Sequence, residues 1–342
     1  MNIKKKVVYQ MEFPYAIATY RGPDGVRVAC ATETSGSGIS FSATDGGDIK
    51  TLWTEPGGTM TIAPRGTEDF LVTHRFFKRF QAQDAVVTAV LKQSDGRWRK
   101  KEVLKLPYLH RFCVLRVGDQ DWLLAGTLCD KKDSFEDWSH AGGIYVGRIP
   151  EDLEQPIEVK QIYHGIHKNH GMFCGVHRGR EVAIVTGCEG AFEVIPPETP
   201  EGTWQVDQLL NTEISDIRVF DLDGDGKEEL ITIEGFHGDR LKVYHEVNGS
   251  YELAYEYPIA FGHGLWCGMM LGRSTILIGY KNANGALVAL QKRPGAGFSM
   301  DITVIDELEQ VANLDVYDAG ESFYIYAACS VGNVNLYQLQ KS

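Results

Sequence analysis

The sequence predicts an all-β chain folded as a seven-bladed β-propeller of four-stranded blades, closed by the N-terminal strand joining the C-terminal blade. Three observations predict it. Seven apolar strand openings recur along the chain, a second strand follows each on schedule, and one strand is left over at the N-terminus where the last unit lacks its fourth.

The openings lie near residues 15, 59, 110, 170, 216, 263 and 313, spaced by roughly 44 to 60 residues. They include Tyr15-Ala16-Ile17-Ala18, His110-Arg111-Phe112-Cys113, His170-Gly171-Met172-Phe173 and His263-Gly264-Leu265-Trp266. That interval suits a unit of four short strands. Second strands such as Phe70-Leu71-Val72-Thr73, Val182-Ala183-Ile184-Val185 and Phe323-Tyr324-Ile325-Tyr326 are β-branched and aromatic runs of strand length. No stretch shows the 3.6-residue period of a long amphipathic helix. The seventh unit ends at Gly332–Leu339, its third strand, so the orphan run from Lys5 to Phe13 is the candidate fourth. Closure by that run covers open sheet edges. A β-sandwich pair would also give many short strands, but it does not ask for seven repeats. Residues 1–342 are therefore expected to form a single domain.

Composition narrows the function. With 342 residues, 43% of them hydrophobic, the chain can bury a full core, and a net charge of −12 argues against a nucleic-acid partner, which needs a basic surface. Lys4-Lys5-Lys6 is followed by an alternating strand rather than by the apolar core of a signal peptide. No apolar window approaches the length of a membrane span, so no membrane partner is expected. Seven cysteines without a C-x-x-C pair, mostly inside apolar runs, read as small buried hydrophobes in a reducing compartment. The expected location is cytoplasmic.

Two clusters carry chemistry. In the fifth unit, Asp221, Asp223, Asp225 and Glu229 stand at positions 1, 3, 5 and 9 of a loop whose glycines permit a sharp bend, a spacing of oxygens that suits Ca²⁺ or Mg²⁺. The role is expected to be structural, since this turn falls at the far end of its strand from the openings. The second cluster comes from aligning the openings. His110, His170 and His263 then occupy the same point of three units, 60 and 93 residues apart, where the innermost strand begins. Three imidazoles with an open position suit a divalent transition metal such as Zn or Mn. Glu234, ending the second strand of the fifth unit, is the candidate additional ligand. His167, His140 and His74 are candidate bases, and Lys168 or a protonated histidine the candidate acid. The alternative for each histidine is a satisfied polar group bridging neighbouring blades.

The acidic loop resembles the FG-GAP or VCBS repeat loop of integrin-type propellers, with Glu229 where that family more often has Asp. The combination with a histidine-ringed channel resembles the propeller portion of aldos-2-ulose dehydratases and related sugar lyases, and is similar in arrangement to propeller pectate-oligomer lyases. The resemblance implies His110, His170 and His263 as ligands and a lyase, dehydratase or isomerase acting on a small carbohydrate substrate, such as a keto-sugar. Two other classes stay open: a metal-dependent hydrolase of lactonase type, and a non-catalytic ligand- or protein-binding propeller.

Overall fold

The computed structural model describes residues 2–282, 284–295 and 297–341. Among them there is no helix, and 28 strands form seven four-stranded antiparallel sheets, a seven-bladed propeller. β1 (Asn2–Gln10) precedes the first full blade, which is β2 (Pro14–Gly22), β3 (Gly25–Thr32), β4 (Gly38–Ser42) and β5 (Lys50–Trp53). The second blade holds β6 (Ile62–Arg65), β7 (Asp69–His74), β8 (Val86–Lys92) and β9 (Trp98–Lys105). The third holds β10 (Leu109–Val117), β11 (Gln120–Thr127), β12 (Gly142–Arg148) and β13 (Lys160–Ile166). The fourth runs through β14 (Met172–His177), β15 (Arg180–Gly187), β16 (Gly190–Ile195) and β17 (Gln205–Leu210). The fifth is β18 (Ile214–Phe220), β19 (Glu229–Glu234), β20 (Arg240–Val247) and β21 (Ser250–Pro258). The sixth is β22 (Gly262–Met270), β23 (Arg273–Tyr280), β24 (Ala286–Lys292) and β25 (Met300–Glu307). The seventh takes β26 (Val311–Asp318), β27 (Phe323–Cys329) and β28 (Asn333–Gln340) and is completed by β1, in the order β1-β28-β27-β26. Closure by the N-terminal strand is as expected from the sequence.

Burial explains the sequence patterns. Second strands are covered on both faces and read as continuous apolar runs: β19 and β27 are buried throughout, and β3, β11 and β15 over their last six residues. Outermost strands such as β17 and β21 alternate between partly buried and exposed positions.

By packing, the chain divides into two compact units: Met1–Thr32, Ile39–Thr51 and Asp216–Ser342 make the first, Glu33–Gly38 and Leu52–Ser215 the second. In the first, Ile231, Ile233, Leu241 and Val243 pack with Ile276, Ile278, Val288 and Leu290, while Phe41, Tyr326, Ala328 and Leu336 form a separate cluster. In the second, Leu115, Trp122, Leu124 and Val146 pack with Ala183, Val185, Phe192 and Trp204. All seven cysteines are unbridged. Burial pushes the Cys30 thiol up to about 12, as expected of a hydrophobic cysteine, whereas Cys174 is exposed. No helix is long and apolar enough to cross a membrane.

Candidate functional site

The innermost strands of the third and sixth blades begin with a β-bulge. Pairing of β10 with β11 runs from Leu109↔Thr127 to Arg111↔Gly126, leaving His110 as the extra residue, and pairing of β22 with β23 skips His263 in the same way. A bulge re-aims the residue it ejects, which is how the same side chain recurs at the same point of different blades. Tyr15 holds the matching place in β2, where it meets His263 edge-on with ring centroids 5.4 Å apart.

In the second unit His110 and His170 are both buried, their rings 4.8 Å apart. His110 Nδ1 lies 3.1 Å from the His170 carbonyl oxygen, and His170 Nδ1 lies 3.3 Å from that of Ser215. A carbonyl only accepts, so in each bond Nδ1 donates and Nε2 keeps the lone pair. That is the orientation in which outer-sphere carbonyls hold metal-ligating imidazoles. Imidazole nitrogens held in this way are donors of the kind that a borderline transition cation takes. In the first unit His263 stacks on His237, centroids 5.1 Å apart, and His237 stacks in turn on Phe261. Burial, helped by Lys281, pushes His237 down to about 3, so this stack holds a neutral imidazole. His237 lies in the Gly235-Phe236-His237-Gly238 loop after β19, and its own backbone is left-handed (φ 52).

Beside His170, in the segment leading into β14, stands a dyad. His167 Nδ1 donates to Glu189 Oε1 at 2.6 Å, and the His167 backbone N–H donates to Glu189 Oε2 at 2.8 Å. Both side chains are about one-third exposed, 31% and 33%, so they are reachable from solvent. The carboxylate fixes the ring and its tautomer, leaving Nε2 as the basic nitrogen. The segment is rigid: buried Asn169 donates to the carbonyls of Thr186 (2.8 Å) and Gly171 (3.2 Å). A Cβ at Gly126 would stand 2.4 Å from Asn169 Oδ1, so glycine is needed there. Lys168 follows, its ammonium 3.8 Å from Glu213 and 5.5 Å from the Trp138 ring centroid.

Other expected site residues lie elsewhere. His74 is sealed rather than available as a base: it is fully buried, Nδ1 is 3.0 Å from Thr88 Oγ1, and Trp53 packs edge-on against it. Burial, then the charges of Lys100 and Arg75, pushes it down to about 3. Its folded-state value lies below the unfolded one, so its contribution is complete above about pH 6.5 and is lost as pH falls towards 3. At about 1.4 kcal/mol per unit, the penalty near pH 3 is on the order of 4 kcal/mol. The variant His74→Gln is expected to flatten the acid limb of stability in that window, measured by urea unfolding at stepped pH. An unchanged limb would assign the acid sensitivity to other groups.

Glu234 is not turned towards an imidazole. Its carboxylate takes an ion pair from Lys242 at 2.6 Å and a hydrogen bond from the Tyr244 hydroxyl, because a buried carboxylate at the end of β19 finds both side chains on adjacent β20. His140 keeps company with Asp133 and Asp137, 3.7 and 3.9 Å from its Nε2.

In the acidic loop the carboxylates of Asp221, Asp223 and Asp225 offer oxygens within 4.8 Å of one another. Each also accepts a backbone N–H of the same loop, as in Asp221 with Gly224 at 2.8 Å and Asp225 with Lys227 at 2.8 Å. Glu229 is buried beneath them and braces the Leu222 N–H at 2.7 Å. Burial, then the three aspartates, pushes it up to about 7, a repulsion that a hard cation would relieve.

No protein-family model matches the chain, nor does any curated protein sequence. Solved structures do resemble it. Virginiamycin B lyase from Staphylococcus aureus superposes with a TM-score of 0.61 over 99% of both chains at 12% identity. The same lyase is also known in a catalytically inactive form, one histidine replaced by alanine, with quinupristin. A protein assigned as a gluconolactonase gives 0.50 at 10% identity, over 98% of this chain and 92% of that one. The β-propeller domain of Cps50 (Swd1) from Myceliophteria thermophila gives 0.58 at 10% identity, over 99% of this chain and all of that one. At these identities the likeness is one of fold.

Proposed function

We propose that the protein is a metal-dependent lyase or isomerase that removes a proton beside a carbonyl of a small molecule, with a sugar derivative such as a keto-sugar as the substrate class. The observation that carries this reading is the His167–Glu189 dyad in the segment that ends at His170. His110 and His170 would hold the cation. A divalent metal bound there supplies Lewis acidity to the substrate carbonyl and to the charge that develops next to it. His167 Nε2 takes the α-proton, Glu189 holds the ring and steadies the imidazolium that forms, and the Lys168 ammonium is the acid for a departing oxygen. The inactive histidine variant of virginiamycin B lyase supports a histidine-dependent elimination on this fold. A fold shared with a protein assigned as a gluconolactonase makes lactone hydrolysis the reading to separate from it.

Metal content tests the premise. Purified protein is expected to hold close to one transition metal per chain by elemental analysis, and His110→Ala or His170→Ala to bring it towards zero with the β-sheet circular dichroism intact. The same measurement on His263→Ala decides whether the third histidine expected from the sequence belongs to the set, and His177→Ala is the control. His177 ends β14 and is tied to Glu193, so its loss is expected to leave the metal unchanged. Activity is read by incubating the metal-loaded protein with keto-sugars bearing a β-oxygen and following the conjugated product in the ultraviolet. Lactone opening without such a product would move the protein to the hydrolases.

A further inference from the structure

A second site lies on the loops that follow β7 and β11. A cavity of about 560 Å³ there is lined by Arg79, Phe80, Gln81, Lys132, Asp133 and Phe135. Its apolar wall is Phe80 and Phe135, stacked with centroids 5.9 Å apart, and Trp138 stands edge-on to Phe80 at 5.1 Å. Phe135 is half exposed, a large apolar ring that folding alone does not hide.

The cation beside that wall lacks a direct partner, although the charges of Asp137 and Glu136 act on it from a distance. Lys132 Nζ is shielded from water and has no hydrogen-bond partner among the described residues, resting 3.3 Å from the centroid of Trp138 and 5.5 Å from that of Phe80. A cation on an aromatic face recovers only part of what is lost on stripping an ammonium of water. Burial accordingly pulls the Lys132 amine below the usual lysine range. The one acid in the lining, Asp133, already pairs with Lys131 at 3.4 Å. Arg79 is exposed at the tip of a tight loop closed by the Phe77↔Gln81 bridge. Both Arg79 (φ 58) and Phe80 (φ 55) sit in the left-handed region, which is unfavourable for non-glycine residues. The loop thus holds a guanidinium and a ring in a conformation that neither residue prefers.

The geometry points to a binding site for a planar aromatic anion, its ring on the Phe80–Phe135 wall and its carboxylate or phosphate between Arg79 and Lys132. An anion there supplies the acceptor that Lys132 lacks, and the planar guanidinium of Arg79 can receive it in a bidentate manner. The flexible stem of Lys132 lets the ammonium turn from Trp138 to meet it. This site does not depend on the catalytic reading above, because none of these residues belongs to the dyad or to the His110–His170 pair.

Calorimetric titration with naphthoate, and with neutral naphthylmethanol as its control, tests the assignment. Naphthoate is expected to bind saturably and at least about tenfold more tightly than the alcohol, and Arg79→Gln and Lys132→Met each to weaken it about tenfold while leaving the alcohol unchanged. Arg79 is exposed, so Arg79→Gln keeps the test readable if Lys132→Met is poorly folded. No saturable binding, equal affinity for the alcohol, or unchanged naphthoate affinity in a folded variant would each overturn the assignment. Metal content and any lyase activity are separate measurements, so failure here leaves the catalytic proposal standing or falling on its own.

Discussion

Removal of residues 1–13 is expected to cost the protein most of its stability, lowering the melting temperature by more than about 10 °C or leaving the chain aggregated. β1 pairs with β28 from Asn2↔Gln340 to Gln10↔Asn333, with one irregularity between Val7 and Tyr9. Deletion therefore exposes the edge of β28, a row of unpaired backbone groups beside an apolar face. Side chains are lost as well: Val8, Tyr9 and Met11 pack on the cluster of Phe41, Tyr326 and Leu336, and Ile3 on that of Phe323 and Ile325. Lys5 bridges Asp306 and Glu309, each at 2.6 Å, and its loss leaves two largely buried carboxylates without their cation. The measurement is thermal unfolding followed by circular dichroism, with size-exclusion chromatography to detect association. Adding a peptide of residues 1–13 in trans should restore part of the lost stability. An unchanged melting temperature would mean that the seventh blade stands on three strands. The Lys4-Lys5-Lys6 run then has a structural reading, since lysines on the outermost strand of a blade discourage pairing with another molecule.

The blades were legible because burial is periodic. A second strand covered on both faces must be a continuous apolar run, and Val182–Val185 or Phe323–Tyr326 could hardly be anything else. The histidine positions were legible as an alignment, but the bulges that eject His110 and His263 leave no local signal, because pairing is a property of two strands. Side-chain partners were legible least. Glu234 ends a strand at an expected mouth, yet Lys242 and Tyr244 on the adjacent strand decide its role. His74 was a plausible base until Trp53, 21 residues earlier in the sequence, is seen to close over it. The dyad was missed for the same reason: His167 and Glu189 are 22 residues apart, and β14 and β15 between them form the hairpin that brings them together. The acidic loop was found from spacing alone, and its likeness to FG-GAP and VCBS loops rests on that spacing and nothing wider.

With a turned-over substrate in hand, His167→Gln is expected to lower kcat by about 10²- to 10⁴-fold, the range that positioned general bases contribute. Glutamine can still accept a contact from substrate but cannot carry the abstracted proton, so KM should change little. Glu189→Gln separates catalysis from positioning. The amide can still accept the His167 Nδ1–H but no longer offers a full negative charge to the imidazolium, so a smaller fall in kcat is expected, again with little change in KM. Exchange of the substrate α-proton in D₂O gives the decisive reading, because it reports abstraction even when elimination is slow. Exchange that persists in His167→Gln at the wild-type rate would remove His167 as the base and, with it, the observation on which the lyase reading rests.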